Sequence, residues 1–277
     1  MTDRKQEERL DYLIRKFKED SGRYRDLEVS DDYTEKRMAL RSLMNIRMPG
    51  EMAEDVVRIQ DEFLSEEAEE KGIVTLDEIP AVAEQYGSRH LFADKISIWQ
   101  GDITRLQVGA IVNAANSQML GCFVPCHRCI DNAIHSAAGI ELREECSHYM
   151  NRRKMQYGSR YEEPTGQAVL TKGYNLPAKY VIHTVGPIVG VRLTQALRED
   201  LRNCYRNVLQ CCAENQIRSV AFCCISTGEF HFPNDEAAKI AVETVTKFLR
   251  GHEDKFDRIV FNVFKDVDRE LYEEELK

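Results

Sequence analysis

The chain has 277 residues, 43% of them hydrophobic and 31% charged, with a formal net charge of −9. That length suits one substantial domain with a smaller appendage, and the composition excludes a disordered chain. The acidic balance argues against a nucleic-acid partner, which needs a concentrated basic face, and no apolar run approaches the length needed to cross a bilayer, so no membrane partner is expected.

In chain order, residues 1–20 place Leu10, Tyr12, Leu13, Ile14 and Phe17 at helical spacing, between charged positions. A second helical pattern over 33–46 carries Leu40, Leu43 and Ile46 on one side and stops near Met48-Pro49-Gly50. A third, over about 51–70, runs through Val56, Ile59, Phe63 and Leu64 into the acidic run SEEAEEKG, which reads as a solvated helix face. Residues 1–90 therefore form an expected α-helical N-terminal unit. The opening MTDRKQEERLDYL has neither the apolar core of a signal peptide nor the acid-poor character of a transit peptide, so a cytoplasmic location is expected.

From residue 91 the pattern changes to strands alternating with helices. Strands are expected at FADKISIWQGDIT, VGAIVNAAN, GQAVLTKGY, KYVIHTVGP, SVAFCCIST and RIVFNVF. Helices are expected over 130–150 and 193–214, at PNDEAAKIAVETVTKFLR with Gly251 closing it, and at DVDRELYEEEL. This alternation indicates α/β layers around a mainly parallel sheet over 91–277. In such a sheet ligands bind at the carboxyl ends of strands, which singles out the loops after VGAIVNAAN and SVAFCCIST and the end of RIVFNVF.

Three short motifs fall near these ends. Asp102 in GDIT follows a strand, where its carboxylate can accept from an amine or simply stabilise a turn. Asn113 and Asn116 in VNAAN can read ribose hydroxyls or cap the loop, since a carboxamide both donates and accepts. STGEFHFP is a small-residue turn leading into a helix with Pro233 near its first position, suited to aim backbone N–H groups at an anion or to cap the helix.

The densest chemistry is GCFVPCHRCIDNAIHSAAG at 121–139. Nine cysteines, an odd number, in a chain expected in a reducing compartment read as buried thiols and metal ligands rather than bridges. Cys122, His127 and Cys129 supply two thiolates and an imidazole, a set that can wrap one Zn²⁺ per chain. Cys126 is the competing ligand. With it the site is closed and structural; without it, one coordination position stays open. Asp131 lies in the first turn of the following helix, where the dipole favours a carboxylate. His135 and His183 read as packed or hydrogen-bonded core residues, and Trp99 as packing.

The series GDIT, IVNAAN, DNAIHSAAG, GQAVLTKGYNLPAKYVIHTVGP and STGEFHFP resembles the macrodomain family in order and spacing, over about residues 92–277. The loop CFVPCHRC stands where most hydrolytic members have glycines. The form G-C-F-x-P-x-H-x-C-I-D-N-x-I-H, met at each fixed position over 121–135, resembles the zinc-containing subgroup of microbial ADP-ribosyl hydrolases. That subgroup also tends to carry a helical N-terminal extension.

The resemblance implies a three-layer α/β/α macrodomain with a mixed, mostly parallel central sheet, binding ADP-ribose. Asp102 would hold the adenine amine, with Ile103 beside the ring and Phe264 packing on it. The diphosphate would lie between the turn of Ser226, Thr227, Gly228 and Glu229 and the helix start at Ile130. Phe230 would pack on the distal ribose, with Asn116 and Asp131 as the catalytic pair beside the bond cut. The implied function is zinc-assisted removal of mono-ADP-ribose from a modified protein, at an Asp or Glu ester on C1″. The alternatives are a non-catalytic ADP-ribose reader, or an O-acetyl-ADP-ribose deacetylase with structural zinc.

Overall fold

Three amphipathic helices open the computed structural model, which describes residues 4–277: α1 (Arg4–Ser21), α2 (Tyr33–Ile46) and α3 (Glu54–Glu70). Residues 1–3 of the helix expected over 1–20 lie outside the described residues. The helical repeat turns Leu10, Leu13 and Phe17 toward Leu40 and Leu43 of α2 and Val56, Phe63 and Leu64 of α3, a small core of its own. Each such buried side chain stabilises by about 1.5–3 kcal/mol. Asp32 caps α2, accepting from Glu35 N at 3.0 Å. The acidic run at the end of α3 is not only a solvated face. Arg9 of α1 reaches Glu62 and Glu66 at 3.1 and 2.5 Å, and Arg37 of α2 grips both oxygens of Glu67 at 2.5 and 2.9 Å.

Strand β1 (Val74–Thr75) and helix α4 (Val82–Tyr86) follow, and Ile79 and Val82 pack into the larger core. Next come β2 (Ile96–Gln100), β3 (Leu106–Gln107), β4 (Ala110–Ala115), α5 (Ile130–Ala138), α6 (Ile140–Tyr157), β5 (Val169–Lys172) and β6 (Tyr180–Val185). The chain finishes with α7 (Gln195–Glu214), β7 (Ser219–Phe222), α8 (Asn234–His252), β8 (Arg258–Val263) and α9 (Asp266–Glu275).

The main sheet has the order β2-β8-β7-β4-β6-β5 and is parallel except for the antiparallel β5–β6 edge; β1 and β3 form a separate short parallel pair. Its central strands are buried on both faces, which is why AIVNAA and RIVFNV read as nearly continuous apolar runs. Helices α5 and α6 pack on β4 and β5, while α7, α8 and α9 pack in series on the sheet, giving the expected three-layer α/β/α macrodomain fold.

Two local expectations change. The helical stretch over 130–150 is two helices hinged at Gly139, whose φ of +99° suits only glycine and whose Cβ, if present, would lie 2.8 Å from Gln60 Nε2 of α3. Gly251 does not end its helix: α8 continues one residue further to His252, which leaves the helical region at φ −141° and ψ 25°, and a 3-10 turn follows at Glu253–Lys255. Among the described residues, no helix is long and apolar enough to cross a membrane.

Candidate active site

Because β2, β8, β7, β4 and β6 all run parallel, their carboxyl ends share one edge. That edge gathers Asp102 after β2, Asn116 after β4, Gly186 after β6, the Ser226 turn after β7 and Phe264 after β8. Asp102 is partly taken up locally, its Oδ1 accepting from Thr104 N at 3.0 Å and Thr104 Oγ1 at 2.7 Å. Ile103 is 1% exposed and its side chain belongs to the core, so only its main chain is left to face a ligand. Phe264, by contrast, is 74% exposed. Trp99 packs against the core and covers Gly101, where a Cβ would meet its ring at 2.5 Å.

Asp131 is buried, and each of its oxygens has an asparagine donor. Asn113 Nδ2 donates to Oδ1 at 2.8 Å and Asn116 Nδ2 donates to Oδ2 at 3.2 Å. Burial pushes the Asp131 carboxyl up to about 6, against the pull of Asn113, Arg143 and Asn116. Asn113 is 0% exposed, so it does not read ribose; it supports Asp131 and lies 3.0 Å from His183 Nδ1. Asn116 is oriented without ambiguity. Its Nδ2 faces two acceptors, Asp131 and Gly121 O at 3.2 Å, while Oδ1 accepts from Gln118 N at 3.0 Å. Both Asn116 N–H groups are thus spent, and one Oδ1 lone pair remains for an incoming hydroxyl.

His135, Cys146 and His183 converge beneath this network. Both ring nitrogens of His183 are engaged, by Asn113 and by Thr171 Oγ1 at 3.0 Å, which leaves the group as a buried polar layer. Gly121 lies flat on His135, where a Cβ would come within 2.8 Å of the ring.

The side-chain donors of Cys122, His127 and Cys129 all lie within 4.8 Å of one another and are half-buried. A tetrahedral zinc with bonds of about 2.0–2.3 Å separates its ligands by roughly 3.3–3.8 Å, so small rotations close the three on one ion. His127 Nδ1 is buried with no protein partner, a donor set aside for a ligand. Burial pushes the Cys129 thiol up to about 12, with Cys122 and Asp131 adding to it. Cys126 is turned out of the group. Its Sγ lies 3.2 Å from Ser42 Oγ and 3.4 Å from Met38 O of α2, and its own φ is +51°. All nine cysteines are free thiols.

The Ser226 turn is held open by its backbone. Ser226 and His231 adopt left-handed φ values of +66° and +56°, and Phe232 N closes the turn on Ser226 O at 2.9 Å. Thr227 Oγ1 is tied back to Cys224 O at 3.0 Å. Phe230 O accepts from Val189 N at 2.9 Å, joining this turn to the loop after β6. Ser226 Oγ is buried without a partner. Pro233 is the N-cap of α8 rather than its first residue, and Asp235 and Glu236 occupy the first helical turn, where they disfavour an anion at the helix end. Glu229 lies 3.9 Å from His127 Nε2, so the Cys122–Cys129 loop and this turn stand together.

Arg41, Asn45, Asn132 and Arg143 also shape the site, though sequence motifs give them no role. Arg143 is buried and donates to Leu120 O at 2.7 Å and to the carbonyls of Met44, Asn45 and Arg47 at 3.0, 2.8 and 2.6 Å, with the Phe123 ring 4.4 Å away. For Arg41 and Asn45 the one sequence signal is spacing: with Met38 and Ser42 they fall on a second face of α2.

A ligand edge at the carboxyl ends of a parallel sheet, with asparagines, an open main-chain turn and an exposed aromatic ring, defines an α/β protein of nucleotide-binding type. The Macro domain family model matches residues 112–241. A protein-ADP-ribose hydrolase of Treponema medium is 44% identical over 267 residues, covering 96% of this chain and 97% of that protein. One from Staphylococcus aureus (strain MRSA252) is 38% identical, covering 96% and 94%. The solved Trypanosoma brucei macrodomain in complex with ADP-ribose superposes with a TM-score of 0.62 at 31% identity, covering 88% of this chain and 96% of that one. The chain belongs to the macro domain family.

Proposed function

We propose that this protein is a hydrolase that removes mono-ADP-ribose from modified protein side chains, cutting an Asp or Glu ester at C1″ of the distal ribose, and that it belongs to the zinc-containing branch of its family. Relatives that align over nearly their whole length and are named for protein-ADP-ribose hydrolysis support the activity. One observation carries the site: Asn116 bridges the Asp131 carboxylate and the carbonyl of Gly121, where the Cys122–Cys129 loop begins.

In this reading the adenine lies between Asp102 and Phe264, and the diphosphate meets the main chain of Ser226, Thr227, Gly228 and Glu229. Phe230 packs on the distal ribose. Asp131 fixes the Asn116 carboxamide, so that its free Oδ1 lone pair holds a ribose hydroxyl and with it the sugar's angle to the attacking water. Hydrolysis adds the hydroxyl of water to C1″, breaks the C1″–O bond, and leaves the carboxylate and a proton. The contribution of these side chains is positional, of the kind in which about 1 Å of misplacement costs about 100-fold. Cys122, His127 and Cys129 would hold one Zn²⁺ per chain, and bound there the ion supplies Lewis-acid character at the distal-ribose end.

The test is a mono-ADP-ribosylated acceptor given to wild-type protein, to Asn116→Ala, and to wild-type protein stripped by chelator. Wild type should release ADP-ribose, while Asn116→Ala should bind ADP-ribose yet release it about 100-fold more slowly. Full activity after verified zinc loss would remove the metal from the chemistry. Binding without release by wild type would make the chain a reader.

A further inference from the structure

The metal loop is not shaped by its own macrodomain alone. Arg41 of α2 donates through Nη2 and Nε to Asn132 Oδ1 at 2.7 and 3.1 Å, and through Nη2 to His127 O at 3.3 Å. Asn132 is fully buried, and its Nδ2 donates to Val124 O at 2.9 Å and more weakly to Cys122 O at 3.5 Å. Its backbone N–H points to Cys129 Sγ at 3.4 Å. One carboxamide therefore touches the main chain at the first ligand and two residues after it, and it is itself held by a guanidinium from the N-terminal helices.

A second strand of support starts at Asn45, 1% exposed. Its Oδ1 accepts from Cys126 N at 2.9 Å, and its Nδ2 donates to Ser136 Oγ at 2.9 Å, which donates on to Asn132 Oδ1 at 3.2 Å. Cys126, held in a left-handed conformation, is seated on Ser42 and Met38 of the same helix. A loop that must bring three ligands within 4.8 Å of one another loses conformational freedom to do so, and these bonds supply that order in advance.

We propose that α2 is a positioning element of the zinc site, with Arg41 acting through Asn132 and Asn45 acting through Cys126 to keep Cys122, His127 and Cys129 converged. The inference rests on the zinc reading above and deepens it: the N-terminal helices complete the metal loop. Outer-shell partners of this kind alter metal affinity about 10–100-fold.

The experiment uses full-length protein loaded with Zn²⁺, timing zinc transfer to a chromophoric chelator, and loaded in parallel with Cd²⁺, reading the thiolate-to-metal charge-transfer band. Arg41→Ala should release zinc about 10–100-fold faster with the fold intact, and Arg41→Lys, which keeps one donor in reach, should recover part of the difference. Arg37→Ala is the control on the same helix. It breaks the pair with Glu67 and should lower the unfolding temperature without changing zinc release. Asn45→Ala tests the second path and should also speed release.

Wild-type release rates in both Arg41→Ala and Asn45→Ala overturn the inference. So does an equal acceleration in Arg37→Ala, which would mean general loosening of the helical unit. Cys129→Ser separates the two levels: if it retains one zinc per chain, or if wild type binds none, the zinc reading fails and the inference goes with it.

Discussion

Replacing Gly186 by alanine tests whether the Ser226 turn cradles the diphosphate. A Cβ at Gly186 would lie 2.0 Å from Ser226 Oγ, 2.9 Å from Ile225 Cγ2 and 3.4 Å from Ser226 Cβ. Ordinary contact needs about 3.5 Å, so the hydroxyl must move by about 1.5 Å, and even after it rotates away the main chain must yield by about 0.6 Å. Ile225 is 0% exposed and cannot retreat, so the shift falls on the Ser226 backbone, already left-handed and tied to Phe232. Overpacking of this kind costs about 1–3 kcal/mol of stability. A displacement approaching 1 Å at a positioning element costs about 100-fold in rate.

Gly186→Ala should therefore fold, unfold at a modestly lower temperature, bind ADP-ribose more weakly in calorimetry, and lose about 100-fold in kcat/KM. Adding Ser226→Gly removes both Ser226 contacts and suits the left-handed backbone but leaves the 2.9 Å contact with Ile225 Cγ2, so the double variant should recover only part of the affinity. A folded Gly186→Ala that binds ADP-ribose as tightly as wild type would refute a diphosphate role for this turn.

Cys126→Ser should keep one zinc per chain by elemental analysis, since its sulfur faces α2, whereas Cys129→Ser should lose it. Phe264→Ala should leave the unfolding temperature nearly unchanged, because the ring is 74% exposed, yet weaken ADP-ribose binding by about 5–150-fold, the usual worth of a base–aromatic stack. Burial opposes the charge on Glu67, but Arg37 and then Lys71 outweigh it and hold the carboxyl at about 2, below its ordinary 4.5. That interval corresponds to about 3 kcal/mol, present above pH 4.5 and lost as pH falls toward 2. Glu67→Gln should accordingly unfold at lower temperature than wild type at pH 7, with the gap closing in acid; a gap independent of pH would contradict the pairing.

The sheet strands were legible because a doubly buried parallel strand leaves a run such as AIVNAA, and the amphipathic helices because Leu10, Leu13, Ile14 and Phe17 repeat at helical spacing. The grouping of Cys122, His127 and Cys129 was legible because the three lie within eight residues of one loop. Asn113 could not be separated from Asn116 in the same way. They are three residues apart on one strand and its exit, and only tertiary placement buries the first under Asp131 and leaves the second at the edge. The helix end expected at Gly251 falls one residue later, because the backbone leaves the helical region at His252 and not at the glycine. Arg41, Asn45 and Arg143 stayed hidden for a related reason. Their contacts between the N-terminal helices and the α5–α6 region join residues 81–99 apart along the chain, which the spacing on α2 alone does not record.

That Asn116, Asp131 and the neighbouring Cys122–Cys129 loop make this macrodomain a hydrolase of protein-linked ADP-ribose is our proposal. Its most direct test is mass spectrometry of an acceptor carrying mono-ADP-ribose on a glutamate, followed over time with zinc-loaded protein. The account predicts that the acceptor returns to its unmodified mass while free ADP-ribose accumulates in equal amount. An acceptor that stays modified while bound to the protein would contradict it.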